Sequence, residues 1–222
     1  MTDTVDGRSG ALLPAALYDT GVVAVLRADS LQRCEAAVGA LIEQGIVCIE
    51  LTMTIPGIID EIGAFIRRFG NVAQIGVGTV TSARDLDHLA SAGAKFVVTP
   101  VVAPDVIAAA LARDLPVIAG ALTPTEVFAN WQSGASAVKV FPAASVGATY
   151  LEHLRGPFPD LPLVPSGGLS LESVAEWVRS GSIAVSLGGP LLGDALDGGD
   201  LSQLRDRARQ TLIAVATARA SR

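Results

Sequence analysis

Lysine is scarce in this chain of 222 residues: only Lys95 and Lys139 occur. The formal net charge is −6 and no run of basic residues is present. A nucleic-acid partner would need such a run as its phosphate footprint, so none is expected. Histidine and cysteine are as sparse, at two each. Cys34 falls in an expected helix and Cys48 in an expected strand, without a CxxC spacing or a neighbouring histidine, and both read as buried small hydrophobes. His88 and His153 lie far apart in helical segments, which leaves no sequence case for a metal site. No uncharged apolar stretch reaches the ~18 residues of a membrane-spanning helix. The first ten residues are polar, lack the apolar core of a secretory or transit segment, and are expected to form a flexible tail. Together these absences lead to the expectation of a soluble cytoplasmic protein with no membrane partner. No linker rich in Pro, Gly and Ser divides the chain, so residues 1–222 are expected to form a single domain, with half the residues apolar and able to fill one core.

What the chain does have is a repeat of apolar strands and amphipathic helices at about 25 residues per unit. A short helix is expected at 11–19. Strands are expected at 22–27, 47–51, 73–77, 96–99, 116–119, 137–141, 163–165 and 183–187. Helices follow at 31–44, 56–69, 82–92, 104–113, 124–133, 147–154, 170–180 and 201–218. Such alternation implies right-handed crossovers and a parallel sheet, and eight units favour a closed (β/α)8 barrel with an extra N-terminal helix. The open doubly wound alternative would want a GxGxxG turn after its first strand, and the sequence there is Arg27-Ala-Asp-Ser-Leu31.

The stretch Ser136-Ala-Val-Lys-Val-Phe-Pro142 reads as a buried strand carrying one amine. Alternation puts Lys139 on one face with Ala137 and Phe141. Burial of an ammonium disfavours its charged form and would make the amine nucleophilic near neutral pH; the alternative is a lysine that snorkels to water or pairs with a carboxylate. In a barrel the active site gathers at the carboxyl ends of the strands, so the polar residues that end each apolar run are the candidates. These are Arg27, Glu50, Thr79, Thr99-Pro100, Lys139 and Ser166-Gly167-Gly168. Glu50 shares a face with Cys48 and should point into the barrel top, as a general acid/base or as a partner that merely neutralises Lys139 or Arg27. The glycines beside Thr79 would let a ligand approach the backbone, or would mark a tight turn. Gly167-Gly168 after strand seven and Gly188-Gly189 after strand eight occupy the usual anion site of such barrels.

Seven motifs in order resemble the family of 2-keto-3-deoxy-6-phosphogluconate (KDPG) and 4-hydroxy-2-oxoglutarate (KHG) aldolases, which also includes phosphogalactonate aldolases. They are Val25-Leu-Arg-Ala28, Ile49-Glu-Leu-Thr52, Gly76-Val-Gly-Thr-Val80, Val98-Thr-Pro100, Lys139-Val-Phe-Pro142, Gly156-Pro-Phe-Pro159 and Pro165-Ser-Gly-Gly168. The resemblance implies a Schiff-base lysine at Lys139 and a proton shuttle at Glu50. It further implies a pyruvate pocket including Thr79 and Pro100, a wall at Phe141, a homotrimer, and no metal or organic cofactor. The implied reaction cleaves a 2-keto-3-deoxy-6-phospho sugar acid to pyruvate and glyceraldehyde 3-phosphate.

Three departures qualify that expectation. Thr54 stands where many members carry arginine, which shifts the cationic contact to Arg27. Ser166 replaces a threonine and keeps its hydroxyl. Pro190 falls where the family often has a serine, and proline offers neither hydroxyl nor N–H. An unphosphorylated substrate such as 4-hydroxy-2-oxoglutarate is therefore a live alternative. A phosphosugar isomerase or epimerase would not need the strand-six lysine, and a silent barrel would be expected to have lost Lys139 or Glu50.

Overall fold

The computed structural model describes residues 11–221, and the expected tail at 1–10 lies outside them. Strands and helices alternate. The strands are β1 (Val22–Leu26), β2 (Cys48–Thr52), β3 (Gln74–Gly78), β4 (Val97–Val98), β5 (Val117–Ala121), β6 (Ala137–Val140), β7 (Leu163–Pro165) and β8 (Val185–Leu187). The helices are α1 (Ala15–Thr20), α2 (Leu31–Glu43), α3 (Ile58–Phe69), α4 (Leu86–Ala92), α5 (Pro104–Leu111), α6 (Pro124–Gln132), α7 (Thr149–Arg155), α8 (Val174–Arg179), α9 (Gly189–Leu192) and α10 (Leu201–Ala220).

The strand order β7-β6-β5-β4-β3-β2-β1-β8 is parallel throughout. The outer strands of that order meet through a Ser166–Ser186 bridge and an Ile183 N–H donating to Leu163 O at 3.0 Å. The sheet thus closes into a (β/α)8 barrel, with α1 as the extra N-terminal helix. Closure leaves no strand edge exposed.

Local chemistry sets the helices. α3 carries Asp60 and Glu61 in its first turn and Arg67 and Arg68 in its last, matching the helix dipole at both ends. It buries Ile58, Ile62, Phe65 and Ile66, one stripe at helical spacing. α6 begins with a full capping box between Thr123 and Glu126, with Pro124 opening the first turn.

Two cores result. The larger fills the space between strands and helices. The smaller is the barrel interior, where Val23, Cys48, Phe96, Val98, Ile118, Ala137, Val164 and Ala184 pack with Leu13 and Leu17, residues at and just before α1. Glycines make room inside. A Cβ at Gly76 would collide with the Phe96 ring, so β3 gives up a side chain there to admit the aromatic from the neighbouring strand. Both thiols are buried, and burial pushes Cys34 up to about 11 and Cys48 up to about 12.

The strand and helix bounds depart from expectation at the ends. The regular part of β4 is only Val97–Val98, yet the ladder continues on both sides, with Val77 N–H donating to Phe96 O at 3.0 Å and Thr99 N–H to Ile118 O at 3.1 Å. The helix expected at 11–19 starts after Pro14, and the one expected at 82–92 opens with a single 3-10 turn at Ala83–Asp85. α9 occupies a stretch read from sequence as a loop, because four residues are too few to show helical periodicity.

Gly120, in β5, is enclosed by backbone of the neighbouring strand. Its N–H donates to Thr99 Oγ1 at 3.0 Å, its carbonyl accepts from Asn130 Nδ2 at 2.8 Å, and a Cβ would lie 2.6 Å from Pro100 O and 2.7 Å from Thr99 O. These are backbone atoms that cannot swing away. Gly120→Ala is expected to destabilise the fold by about 1–3 kcal/mol. Gly39→Ala, within α2 where a Cβ meets nothing within 4 Å, is expected to stabilise it by about 0.5–1 kcal/mol. Thermal unfolding of the two variants beside the parent checks both signs.

Candidate active site

Inside the barrel, one step of two residues along four strands turns apolar into polar. Cys48 is followed by Glu50, Ala137 by Lys139, Val164 by Ser166 and Ala184 by Ser186. The first member of each pair belongs to the interior core, and the second lines a pocket above it. Strand alternation is the cause: residues two apart share a face, so a sealed apolar floor and a polar layer follow from sequence spacing.

The pocket has a volume of about 590 Å³. Of the residues singled out from the sequence, Lys139, Glu50, Arg27, Thr79, Pro100, Phe141, Ser166, Gly167, Gly168, Gly188 and Gly189 line it, whereas Thr99 is fully buried outside it, its hydroxyl donating to Val101 O at 2.6 Å. The roles assigned to them are a separate question, taken up below.

Lys139 and Glu50 form the charged centre. Both are buried, at 7% and 1% exposure, and Lys139 Nζ lies 3.8 Å from Glu50 Oε1. That distance is an ion pair without a hydrogen bond. Burial raises the Glu50 pKa above the ordinary carboxylate value, and the charges of Lys139 and Arg27 lower it only in part. The carboxyl is thus disposed to hold a proton as well as to release one. Lys139 Nζ also stands 5.3 Å from the Phe141 ring centroid, within cation–π range.

Backbone exceptions shape the surroundings. Gly78 ends β3 against the Glu50 carboxyl, where a Cβ would lie 2.5 Å from Glu50 Cδ. The glycines near Thr79 therefore belong to the strand rather than to a tight turn, and they clear space for a side chain. Thr79 itself has φ 61, an unusual conformation for a β-branched residue and a strain of order 1–3 kcal/mol. The ladder pins it from both sides, with Met53 N–H donating to Gly78 O at 2.8 Å and Val80 N–H to Val98 O at 3.1 Å. Gly167 and Gly168 have φ of 87 and 77, and a Cβ at Gly167 would sit 2.8 Å from the Phe141 ring. The turn after β7 thus packs closely against that ring.

Sequence reasoning missed Ser186. Its hydroxyl accepts from Ser166 Oγ at 3.2 Å, and it is 4% exposed on the pocket wall. The signal was present in Ala184-Val-Ser-Leu187, the same apolar-to-polar step as Ala137 to Lys139. Leu192, Leu196 and Asp197 were missed too, since Leu192 ends the four-residue α9 and the other two arrive from the short 3-10 turn Ala195–Asp197 that follows it. Among the described residues, no group of three or more His, Cys, Asp or Glu side chains is arranged to hold a metal ion.

Gly78→Ala tests whether the carboxylate position matters. A methyl there must displace the Glu50 carboxyl, and misplacing a reacting group by about 1 Å costs on the order of 10²-fold in turnover. A folded variant with kcat reduced on that scale is expected; unchanged kcat would show that the position of Glu50 is not critical.

Comparison with known proteins agrees with this geometry. The family model described as KDPG and KHG aldolase matches residues 14–206. The chain is 33% identical to the 2-dehydro-3-deoxy-6-phosphogalactonate aldolase of Escherichia coli K12 over 171 residues, covering 77% of this chain and 83% of that one. It is 33% identical to the 2-dehydro-3-deoxy-phosphogluconate aldolase of Treponema pallidum over 195 residues, covering 86% and 92%. A solved structure described as "Native KDPGal structure" superposes with a TM-score of 0.83 at 30% identity, covering 90% of this chain and 96% of that one. With a family match over most of its length, the motifs in order and the barrel that carries them, the chain belongs to the KDPG and KHG aldolase family and is an aldolase, a carbon–carbon lyase.

Proposed function

We propose that Lys139 forms a Schiff base with a 2-keto acid and that Glu50 moves the protons of a class I aldol cleavage releasing pyruvate. The observation that carries this reading is the buried amine and carboxylate 3.8 Å apart, with the carboxyl pKa raised.

The Lys139 amine attacks the 2-keto carbon, and loss of water leaves an iminium. The Glu50 carboxylate accepts the proton of the C4 hydroxyl, directly or through one water, as the C3–C4 bond breaks. The electron pair of that bond moves toward the iminium nitrogen and gives an enamine, while C4 departs as an aldehyde. Glu50 then returns the proton to C3 of the enamine, and water hydrolyses the resulting iminium to pyruvate and free Lys139. One carboxyl serves as base and then as acid, a task suited to a pKa raised by burial.

In this reading Arg27 pairs with an anionic group of the substrate, Thr79 and Pro100 border the pyruvate half, and Phe141 walls the imine. The names of the relatives favour a 2-keto-3-deoxy-6-phospho sugar acid, with glyceraldehyde 3-phosphate as the second product. Pro190 favours a second reading, an unphosphorylated acid such as 4-hydroxy-2-oxoglutarate, because no hydroxyl or N–H stands at that position to meet a phosphate. The family resemblance supports a homotrimer as the working unit.

Lys139→Ala is expected to lower turnover by at least about a thousandfold, since it removes the covalent nucleophile. More than a thousandth of parental turnover in the folded variant would contradict the assignment. The pH profile tests Glu50. A protonated carboxyl cannot accept the C4 hydroxyl proton, so activity falls as pH drops through the Glu50 pKa. That limb should lie above the ordinary carboxylate value of 4.5. In Glu50→Gln the limb should vanish, with kcat lowered by about 10²- to 10⁴-fold.

A further inference from the structure

One stretch of the pocket wall is the four-residue helix α9, and its own bonds are few. The N–H groups of Leu191 and Leu192 both donate to Gly188 O at 3.0 Å, and Gly193 N–H donates to Gly189 O at 2.7 Å. A single turn bears the whole entropic cost of helix nucleation with no further turns to offset it, so it does not persist on those bonds alone. Yet Gly188, Gly189, Leu192 and Gly193 all line the cavity. The turn depends on support from outside.

Arg207, in α10, reaches the carbonyls that α9 leaves open at its C-terminal end. Nε donates to Leu191 O at 2.7 Å and Nη2 to Leu192 O at 2.8 Å. The rigid fork of a guanidinium suits two successive carbonyls that have no partner within their own helix. The arginines on either side of it are used otherwise: Arg205 pairs with Glu43 and Arg209 with Asp206, whereas Arg207 pairs with no carboxylate among the described residues. Leu204, Ala208 and Thr211, all buried, fix the part of α10 that carries it. Gly193 completes the fit. It has φ 57 and ψ −129, a conformation that glycine adopts readily and other residues do not, and a Cβ there would stand 2.6 Å from Arg207 Nη2.

Lys139 and Glu50 stand on β6 and β2, inside the strand ladder, and owe nothing to this contact. Resting on the aldolase reading, we propose that Arg207 is a positioning residue for the aldehyde half of the substrate: it holds α9 where Gly188, Gly189 and Leu192 meet the part of the molecule beyond C4. Arg207 is not itself on the pocket wall and acts only through the turn it clamps. Binding of the aldehyde half therefore depends on a side chain of the last helix, while formation of the enamine does not.

The test runs the reaction in reverse, adding pyruvate to glyceraldehyde 3-phosphate and to glyceraldehyde, and follows whichever acceptor the parent uses better. Arg207→Met should raise the KM for that aldehyde by about tenfold or more and change kcat by less, the sign of a displaced binding wall. Arg207→Lys, which keeps the charge and one of the two bonds, should fall between. Gly193→Ala, whose methyl displaces the guanidinium without removing it, should show the same rise in KM. The double variant Gly193→Ala/Arg207→Met should lose little more than either alone, because both changes break one contact. Exchange of the pyruvate methyl protons with D2O needs only the enamine, so it should stay within about twofold of the parent in each folded variant. An unchanged aldehyde KM would overturn the proposal, as would exchange that falls in step with addition. A parent that shows no exchange would instead overturn the aldolase mechanism, and the inference with it.

Discussion

A primary amine and a carboxyl share the upper layer of the barrel interior at 3.8 Å, both buried, too far apart for a hydrogen bond and too close to ignore each other's charge. Burying two such groups is expensive, and their mutual attraction offsets that expense only in part. The raised Glu50 pKa is the mark of the imbalance. A structural ion pair would be expected to close to a short charge-assisted contact; this one stays open, with a pocket beside it large enough for a substrate. In the proposed mechanism the gap is useful, because a keto carbon must reach Nζ while a hydroxyl proton remains within reach of the carboxyl.

The rest of the barrel holds that pair in place. The floor below it is sealed by Phe96 and its neighbours in the interior core, so the centre has no exit except upward. Gly78 lends Glu50 the space its carboxyl occupies, and Gly120 lets β5 lie close against β4 while pairing in register with Lys139. Glycine at these positions acts by absence of a side chain more than by flexibility. Arg207 in α10 steadies the other side of the mouth, donating to Leu191 O at 2.7 Å and to Leu192 O at 2.8 Å at the end of α9.

Much of this was legible in the sequence because alternation along a strand is a strict rule. Once Ala137-Val-Lys-Val is a strand with Ala137 inside, Lys139 is inside too, and the same step fixes Glu50 from Cys48. The order of eight such units predicts the barrel, and the barrel brings the strand ends together. What escaped was of a different kind. Ser186 obeys the same rule, but its hydroxyl carried no charge to draw attention among glycines. Leu192, Leu196 and Asp197 reach the pocket through a short helix and an irregular turn, where no periodicity connects sequence position to direction. The strain at Thr79 depends on hydrogen bonds to residues far apart in the chain, which no local pattern announces.

The claim on which the account turns is that Lys139 becomes covalently bonded to the substrate. Incubation of the protein with pyruvate and borohydride, followed by intact-mass measurement and peptide mapping, reads that bond directly, since reduction converts an imine to a stable amine. The account predicts one pyruvate-derived adduct per chain, mapped to Lys139 and not to Lys95. No adduct under conditions that trap a control class I aldolase, or an adduct elsewhere on the chain, would contradict it.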